Sequence, residues 1–240
     1  MLAVEGIDVR YGDLQALWDL SMEVSQGEVV ALIGSNGAGK STLLRAIMGL
    51  LKPTKGLIRL DEVMLSRLPT HKIVDAGVVM VPEGRGLFPK MTVLENLELG
   101  AFVDRARQKK SYTVEWLYEI FPVLRERSSQ MAGSLSGGQQ QMLAIAKGLR
   151  ARPLFVLLDE ISSGLAPVLV KQILRVVDEI RKQGMGVILV EQNVFLTLEI
   201  ADRGYVLENG RVVAKGDAAS LSQSSRIKET YLGQKKIDKT

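Results

Sequence analysis

The chain has 240 residues, 46% of them hydrophobic and 24% charged, with no cysteine and a formal net charge of +4. That is an ordinary globular composition with ample apolar material for a core. Without cysteine there is no disulfide framework and no thiolate metal site, which suits a cytoplasmic protein, and the basic residues are scattered, so they predict a solvated surface rather than a nucleic-acid face.

The opening MLAVEGIDVR lacks the basic start and long apolar stretch of a signal peptide. No apolar run approaches the roughly 18 residues needed to span a bilayer. Work at a membrane is therefore expected to go through a partner. The first thirty residues read as short strands broken at Gly6, Gly12 and Gly27. EVVALIG is a short apolar run of the kind that becomes a buried strand. It leads straight into SNGAGKST. Leu43, Leu44, Ile47, Met48 and Leu51 then recur at helical spacing, and Pro53 and Gly56 are expected to end that helix. Gly34 to Thr42 is thus a strand-to-helix connection.

AGVVMVPEGRGLFP repeats the strand-then-loop pattern. From about Thr92 to Arg152 the chain reads as mostly helical, stopped by Pro153. LFVLLDE is another buried strand. PVLVKQILRVVDEIRKQG is an amphipathic helix, with Gly184 and Gly186 expected to close it. GVILVEQ is a strand, and RGYVLENGRVVAKG a hairpin turning at ENG. The polar tail after Gly216 predicts a short helix. Strands alternating with helices imply a parallel α/β sheet, with the central helical stretch inserted into it.

Three motifs carry chemistry. GSNGAGKS, residues Gly34, Ser35, Asn36, Gly37, Ala38, Gly39, Lys40 and Ser41, matches G-x-x-x-x-G-K-[ST]. Its glycines let backbone N–H groups close around phosphate oxygens, and the following helix adds its positive end. Lys40 is placed to reach the β- and γ-phosphates of a nucleotide, and Ser41 to offer a hydroxyl to Mg²⁺. Asp159 and Glu160 end an apolar strand and point at the same crevice. Their spacing suits Asp159 to the metal and Glu160 to the attacking water. LSGGQQQ holds an N-cap candidate, Ser136, then two glycines that admit a close backbone and an apolar helix face. A second anion-binding helix end with one phosphate loop means either two ligands, or one ligand gripped by two chains.

The phosphate loop, LSGGQ and LLDE, in this order and spacing, closely resemble the ATP-binding subunits of ABC transporters, over essentially the whole chain. The resemblance implies a P-loop NTPase (RecA-like) core of roughly residues 1–88 and 153–240, an N-terminal antiparallel β subdomain, and an inserted helical subdomain at 89–152. It implies ATP and Mg²⁺ as ligands and a head-to-tail pair of ATPase subunits, homodimeric or with a sister subunit. Leu135, Ser136, Gly137, Gly138 and Gln139 would form the signature closing on the partner's ATP. Phosphate-loop residues through Thr42 would bind nucleotide, Tyr11 would stack on adenine, and Ser163 to Ala166 would cross the dimer interface. Transmembrane permease subunits would be driven from the cytoplasmic face of the membrane, a periplasmic binding protein would act indirectly, and nucleic acid would have no part.

Two positions depart from the family pattern. Glu83 stands where the family usually has glutamine. It would either approach the metal or pair with Arg85 and shape the loop that meets the membrane partner; the second is favoured because EGRG sets an acid and a base two apart. Gln192 stands where the family usually has histidine, and would align phosphate and water with a neutral amide. The lone histidine, His71, reads as an exposed polar residue. VPEGRGLFPKMTVLENL, GLAP, VEQN and a terminal YLG together resemble an ATPase subunit of the branched-chain amino acid importer, with the importer of urea and short-chain amides as nearest alternative. A soluble ABC ATPase on DNA or ribosomes would be expected to carry coiled-coil insertions, zinc cysteines or a second cassette, and a P-loop kinase would need neither a signature loop nor a hydrolytic glutamate.

Overall fold

The computed structural model describes residues 1–103, 114–224 and Ile227. The YLG motif lies outside them. β1 (Leu2–Tyr11) and β2 (Leu14–Val24) pair antiparallel, and β4 (Lys55–Leu60) and β5 (Val63–Met64) complete a sheet of order β2-β1-β4-β5. Gly6 does not break the first strand. It sits inside β1 at φ 54°, where the register with β2 shifts between Val4 and Ile7, the signature of a bulge that bends the strand without ending it.

The second sheet has six strands in the order β10-β9-β3-β8-β7-β6. These are β3 (Val29–Gly34), β6 (Val78–Val81), β7 (Phe155–Asp159), β8 (Gly186–Val190), β9 (Arg203–Glu208) and β10 (Arg211–Asp217). β6, β7, β8, β3 and β9 run parallel, and β10 turns back on β9. Burial on both faces explains the unbroken apolar runs. Within each run alternate residues serve different layers. Leu32, Leu157 and Ile188 join a cluster with the first sheet and α1 (Lys40–Ile47), while Val156, Leu158, Val187 and Leu189 face the helical layer.

That layer holds α3 (Val93–Leu99), α4 (Val114–Ile120), α5 (Pro122–Glu126), α6 (Gly137–Arg150) and α7 (Pro167–Lys182). α8 (Val194–Ile200) and α9 (Ala218–Gln223) pack with Ala31, Ile33 and Val206 on the outer side. α2 (Thr70–Ala76), which carries His71, was not foreseen from the sequence. α1 stops at Ile47, before Pro53, because Gly49 takes φ 68° and the backbone leaves the helix there. α7 ends at Lys182, and Gly186 is not a helix stop. It is the first residue of β8, where a Cβ would meet the Phe155 ring at 2.5 Å.

Candidate functional site

Four adjacent strands of the large sheet release their chains at the same carboxyl edge. β3 delivers Gly34 to Lys40, β8 delivers Glu191 and Gln192, β7 delivers Asp159 and Glu160, and β6 delivers Pro82 and Glu83. In an open parallel sheet, ligands bind in the crevice outside this edge. A pocket of about 280 Å³ lies there, lined by Asn36, Gly37, Gly39, Lys40, Ser41, Thr42, Glu83, Glu160 and Gln192.

The loop after β3 coils tightly: the Ala38 amide donates to the Ser35 carbonyl at 3.1 Å, and Gly37 and Gly39 take φ 81° and 108°. Gly39 is the N-cap of α1 and provides no side-chain cap, so the first N–H groups of the helix remain free for phosphate oxygens. A Cβ on Gly34 would meet the Leu207 carbonyl at 2.5 Å, and one on Gly39 would meet Leu17 Cδ2 at 2.6 Å. Ser35 and Asn36 are exposed at the loop tip, and Ala38 is buried beneath it.

Lys40 is buried, its ammonium donating to the carbonyls of Gly34 at 2.8 Å and Ser35 at 3.1 Å. Burial pulls its pKa below the ordinary lysine value, while the charges of Glu160 and Asp159 oppose that shift. Ser41 Oγ donates to Asp159 Oδ1 at 3.1 Å. The sequence separates these two residues by 118 positions and the fold puts them in contact. Burial raises the Asp159 pKa; the Ser41 hydrogen bond resists, and the charges of Glu160 and Glu83 push the same way as burial. An acid so placed favours a cation beside it. A hydroxyl and a carboxylate are hard oxygen donors of the kind Mg²⁺ takes alongside phosphate and water. Among the described residues no three carboxylate, imidazole or thiolate side chains are grouped to hold a metal.

Glu160 has φ 48°, rare for a residue with a long side chain. Its amide donates to the Val190 carbonyl at 2.9 Å, and its Oε2 accepts from Gln192 Nε2 at 2.8 Å. A strained, hydrogen-bonded carboxylate facing the phosphate loop can take a proton from water in the pocket. Tyr11 ends β1 with 41% of its surface exposed, its hydroxyl 3.3 Å from Thr42 Oγ1 and accepting from Arg45 at 3.4 Å. The ring is open to a flat partner.

The expected pairing of Glu83 with Arg85 is not formed. Arg85 Nη1 donates instead to Gln140 Oε1 at 2.5 Å, and Glu83 lines the nucleotide-side pocket. The reason is Arg85's φ of 64°, a left-handed turn that carries its side chain away from Glu83 toward α6.

The three glutamines of LSGGQQQ do three jobs. Gln139 completes a capping box: its Oε1 accepts from the Ser136 amide at 3.0 Å, and its own amide donates to Ser136 Oγ at 3.4 Å. Gln140 receives Arg85 and donates to the Leu135 carbonyl at 3.1 Å. Gln141 is buried in the helical layer. Leu135 is buried as well, and a Cβ on Gly138 would meet Leu169 Cδ1 at 2.6 Å, so that glycine is required by packing. Ser136 and Gly137 are the exposed members of the signature.

Among the buried polar residues, Asn96 and Glu191 belong to no motif read from the sequence. Asn96 accepts from the Phe88 amide at 2.9 Å and donates to the Phe88, Met91 and Thr92 carbonyls, pinning the loop that starts at Glu83. Its signal was a polar residue three positions after Val93 on the apolar side of α3. Glu191 accepts from the Ser162 amide at 2.9 Å and from the Ser162 hydroxyl. Burial raises its pKa, with the two Ser162 hydrogen bonds opposing. Its signal was an acid continuing an apolar strand.

A glycine loop on a parallel sheet, backed by a buried lysine and a serine–aspartate contact, defines the P-loop NTPase class. Within it, the model for the ABC transporter family matches residues 17–163, and the chain belongs to that family. It is 45% identical over 97% of its length, and 100% of the relative's, to the high-affinity branched-chain amino acid transport ATP-binding protein BraG of Pseudomonas aeruginosa. It is 32% identical to the lipopolysaccharide export system ATP-binding protein LptB of Haemophilus influenzae, covering 98% of each chain. A solved ATP-binding cassette of an ABC transporter in its ADP conformation superposes with a TM-score of 0.82 at 28% identity, over 98% of this chain and 99% of that one. The protein is an ATPase of a transporter complex. Among its described residues no helix is long and apolar enough to cross a membrane.

Proposed function

We propose that this chain powers a membrane importer for branched-chain amino acids. The observation that carries the hydrolytic part is the Gln192–Glu160 hydrogen bond at the rim of the phosphate-loop pocket. The cargo reading rests on the 45% identity to BraG across both full lengths, against 32% to the lipopolysaccharide exporter subunit.

In this reading the amides of Gly37 to Ser41 and the Lys40 ammonium take the ATP phosphates, exchanging loop carbonyls for phosphate oxygens. Tyr11 stacks on adenine. Ser41 and Asp159 would hold Mg²⁺, with Glu83 lining the same pocket. The bound metal would neutralise charge building on the β- and γ-phosphate oxygens. Glu160 takes the proton of the attacking water, and Gln192 holds that carboxylate while offering its own amide to the γ-phosphate. Ser136 and Gly137 of a second ATPase subunit close on the same phosphate. ATP binding joins the pair and hydrolysis releases it.

Permease subunits dock in a groove of about 450 Å³ between α2, α3 and α6, whose apolar walls include Leu50, Leu99, Phe102 and Val103. Arg85 and Gly86 border the same groove, so the loop that begins at Glu83 reaches from the nucleotide to the membrane partner. The chain works at the cytoplasmic face of the membrane, and a periplasmic receptor delivers the cargo.

The test is uptake of labelled leucine by cells lacking the chain, complemented with the native protein or with Glu160→Gln. The native chain restores uptake. The variant binds ATP, traps the closed pair on gel filtration and restores nothing. Normal ATP turnover by the variant would remove Glu160 as the base; restored uptake of urea or acetamide but not leucine would reassign the cargo.

A further inference from the structure

Three charged side chains are buried among the described residues: Lys40, Asp159 and Glu191. The first two belong to the nucleotide pocket. Glu191 takes no part in the proposed chemistry and has no ion-pair partner among the described residues; its carboxylate is held by Ser162, through both its amide and its hydroxyl, and by the Gln192 backbone. A buried carboxylate with no cation is costly, so the groups that satisfy it are firmly committed to it.

The position of Ser162 gives that grip a consequence. β7 and β8 run side by side with Asp159 opposite Val190. Beyond the ladder the two chains keep hold of each other residue by residue: the Glu160 amide on the Val190 carbonyl, Ser162 on the Glu191 carboxylate, and Gln192 Nε2 on the Glu160 carboxylate. Glu191 and Gln192 point to opposite sides of their segment, one into the core and one into the pocket. Glu160 keeps its left-handed φ of 48° only while the flanking backbone is restrained. Val190 supplies the restraint at Glu160 itself, and Ser162 supplies it two residues on. Ser162 also directly precedes Ser163 to Ala166.

We propose that Glu191 is a positioning residue for ATP hydrolysis: by gripping Ser162 it fixes the turn that aims the Glu160 carboxylate, and it ties that turn to the Ser163–Ala166 loop. The inference rests on the proposed function for Glu160 as base and for that loop as facing the second subunit. Docking of the second subunit on the loop is then felt at Glu160 through Ser162, and at Gln192 through the peptide that joins it to Glu191. The proposal needs hydrogen-bond acceptance at position 191 rather than bulk or charge. Glutamine can satisfy it, since its amide oxygen can accept from the Ser162 amide while its NH₂ donates to the Ser162 hydroxyl. Methionine fills the same volume and grips nothing.

The experiment compares Glu191→Ala, Glu191→Gln, Glu191→Met and Ser162→Ala in the full chain. It records kcat and KM for ATP, binding of a fluorescent ATP analogue, and the melting temperature. A misplacement near 1 Å costs on the order of 100-fold in rate, so alanine and methionine are expected to lower kcat by about 10- to 100-fold. KM and nucleotide affinity stay within about threefold. Glutamine restores most of the rate. Ser162→Ala loses rate in the native background and little more once Glu191 is alanine. Methionine rescuing as well as glutamine, or kcat falling only in step with the melting temperature, would mark a packing role and overturn the proposal. Glu160→Gln in the same assay separates the two readings. If it stops turnover while Glu191→Ala leaves kcat unchanged, the positioning role alone fails; if it turns over normally, the assignment of the base fails.

Discussion

Replacing Gln192 with alanine removes one donor from the Glu160 carboxylate, and the structure bounds what that costs. Nε2 lies 2.8 Å from Glu160 Oε2, a charge-assisted bond of a type worth about 1.5–3 kcal/mol. Gln192 is exposed and Glu160 half-buried, so water competes and the lower part of that range applies. Because the bond is present before reaction, kcat loses not the bond itself but the alignment it gives the carboxylate and the amide it offers the γ-phosphate; at that same scale of about 1.5–2 kcal/mol the fall is roughly 10- to 30-fold. The phosphate loop is untouched, so ATP affinity should hold. Phosphate release at saturating ATP, paired with titration of a fluorescent ATP analogue, measures both. The only histidine, His71, sits on α2 outside the residues that line this pocket, so the rate profile should contain no imidazole step near pH 6.5. An unchanged kcat, or a loss fully explained by weaker ATP binding, would refute the reasoning.

Glu28 accepts from Arg203 at 2.5 and 3.2 Å and from the Ser25 amide at 2.8 Å. Burial alone would raise its pKa, but these bonds and the Arg203 charge together leave it lowered. Its contribution to stability is therefore present above the ordinary glutamate pKa and lost as pH falls through the lowered value. Glu28→Gln should cost about 1–3 kcal/mol at neutral pH, and thermal melts should find the gap closing in acid; a gap that does not narrow as the pH falls would refute the linkage. Gly138→Ala should lower the melting temperature by several degrees, since its Cβ would lie 2.6 Å from Leu169 Cδ1, whereas at Gly137 the nearest atom is the end of the Arg85 side chain at 3.4 Å and Ala should be tolerated. Equal melting curves would count against the packing account. Glu83→Gln removes a negative charge that bears on Asp159. At the near-surface scale of about 1 kcal/mol it should raise half-saturating Mg²⁺ for turnover about fivefold and tighten metal-free ATP binding by a similar factor; calorimetry without metal reading no change would return Glu83 to a purely shaping role.

The sequence disclosed most of the site because its chemistry is contiguous. Lys40 and Ser41 lie in one eight-residue motif, and Asp159 and Glu160 end a single apolar run, so spacing alone placed the first pair at a helix start and the second at a strand end. Gln192 was legible in the same way, as the polar residue after a buried strand. What spacing could not supply was the partner of each side chain. EGRG suggested that Glu83 and Arg85 pair, yet the pairing was decided by the backbone: φ 64° at Arg85 sends its guanidinium to Gln140, 55 residues on. Gly6 was read as a break for a similar reason, since a glycine in a bulge and a glycine in a turn look alike until the neighbouring strand is known.

Glu191 marks the boundary of what pattern reading can reach. GVILVEQ carries the strand pattern through Glu191, but the run alone does not say which way an acid at its end faces. The parallel ladder with β7 determines it: once Asp159 aligns with Val190, position 191 turns inward and the pocket-facing side falls to Gln192. The same register places Ser162 on the Glu191 carboxylate and Glu160 on the Gln192 amide. One alignment between two strands thus fixes both the residue facing the pocket and the buried acid behind it. A one-residue slip of β8 against β7 would exchange their faces and put a second carboxylate where Gln192 now stabilises Glu160.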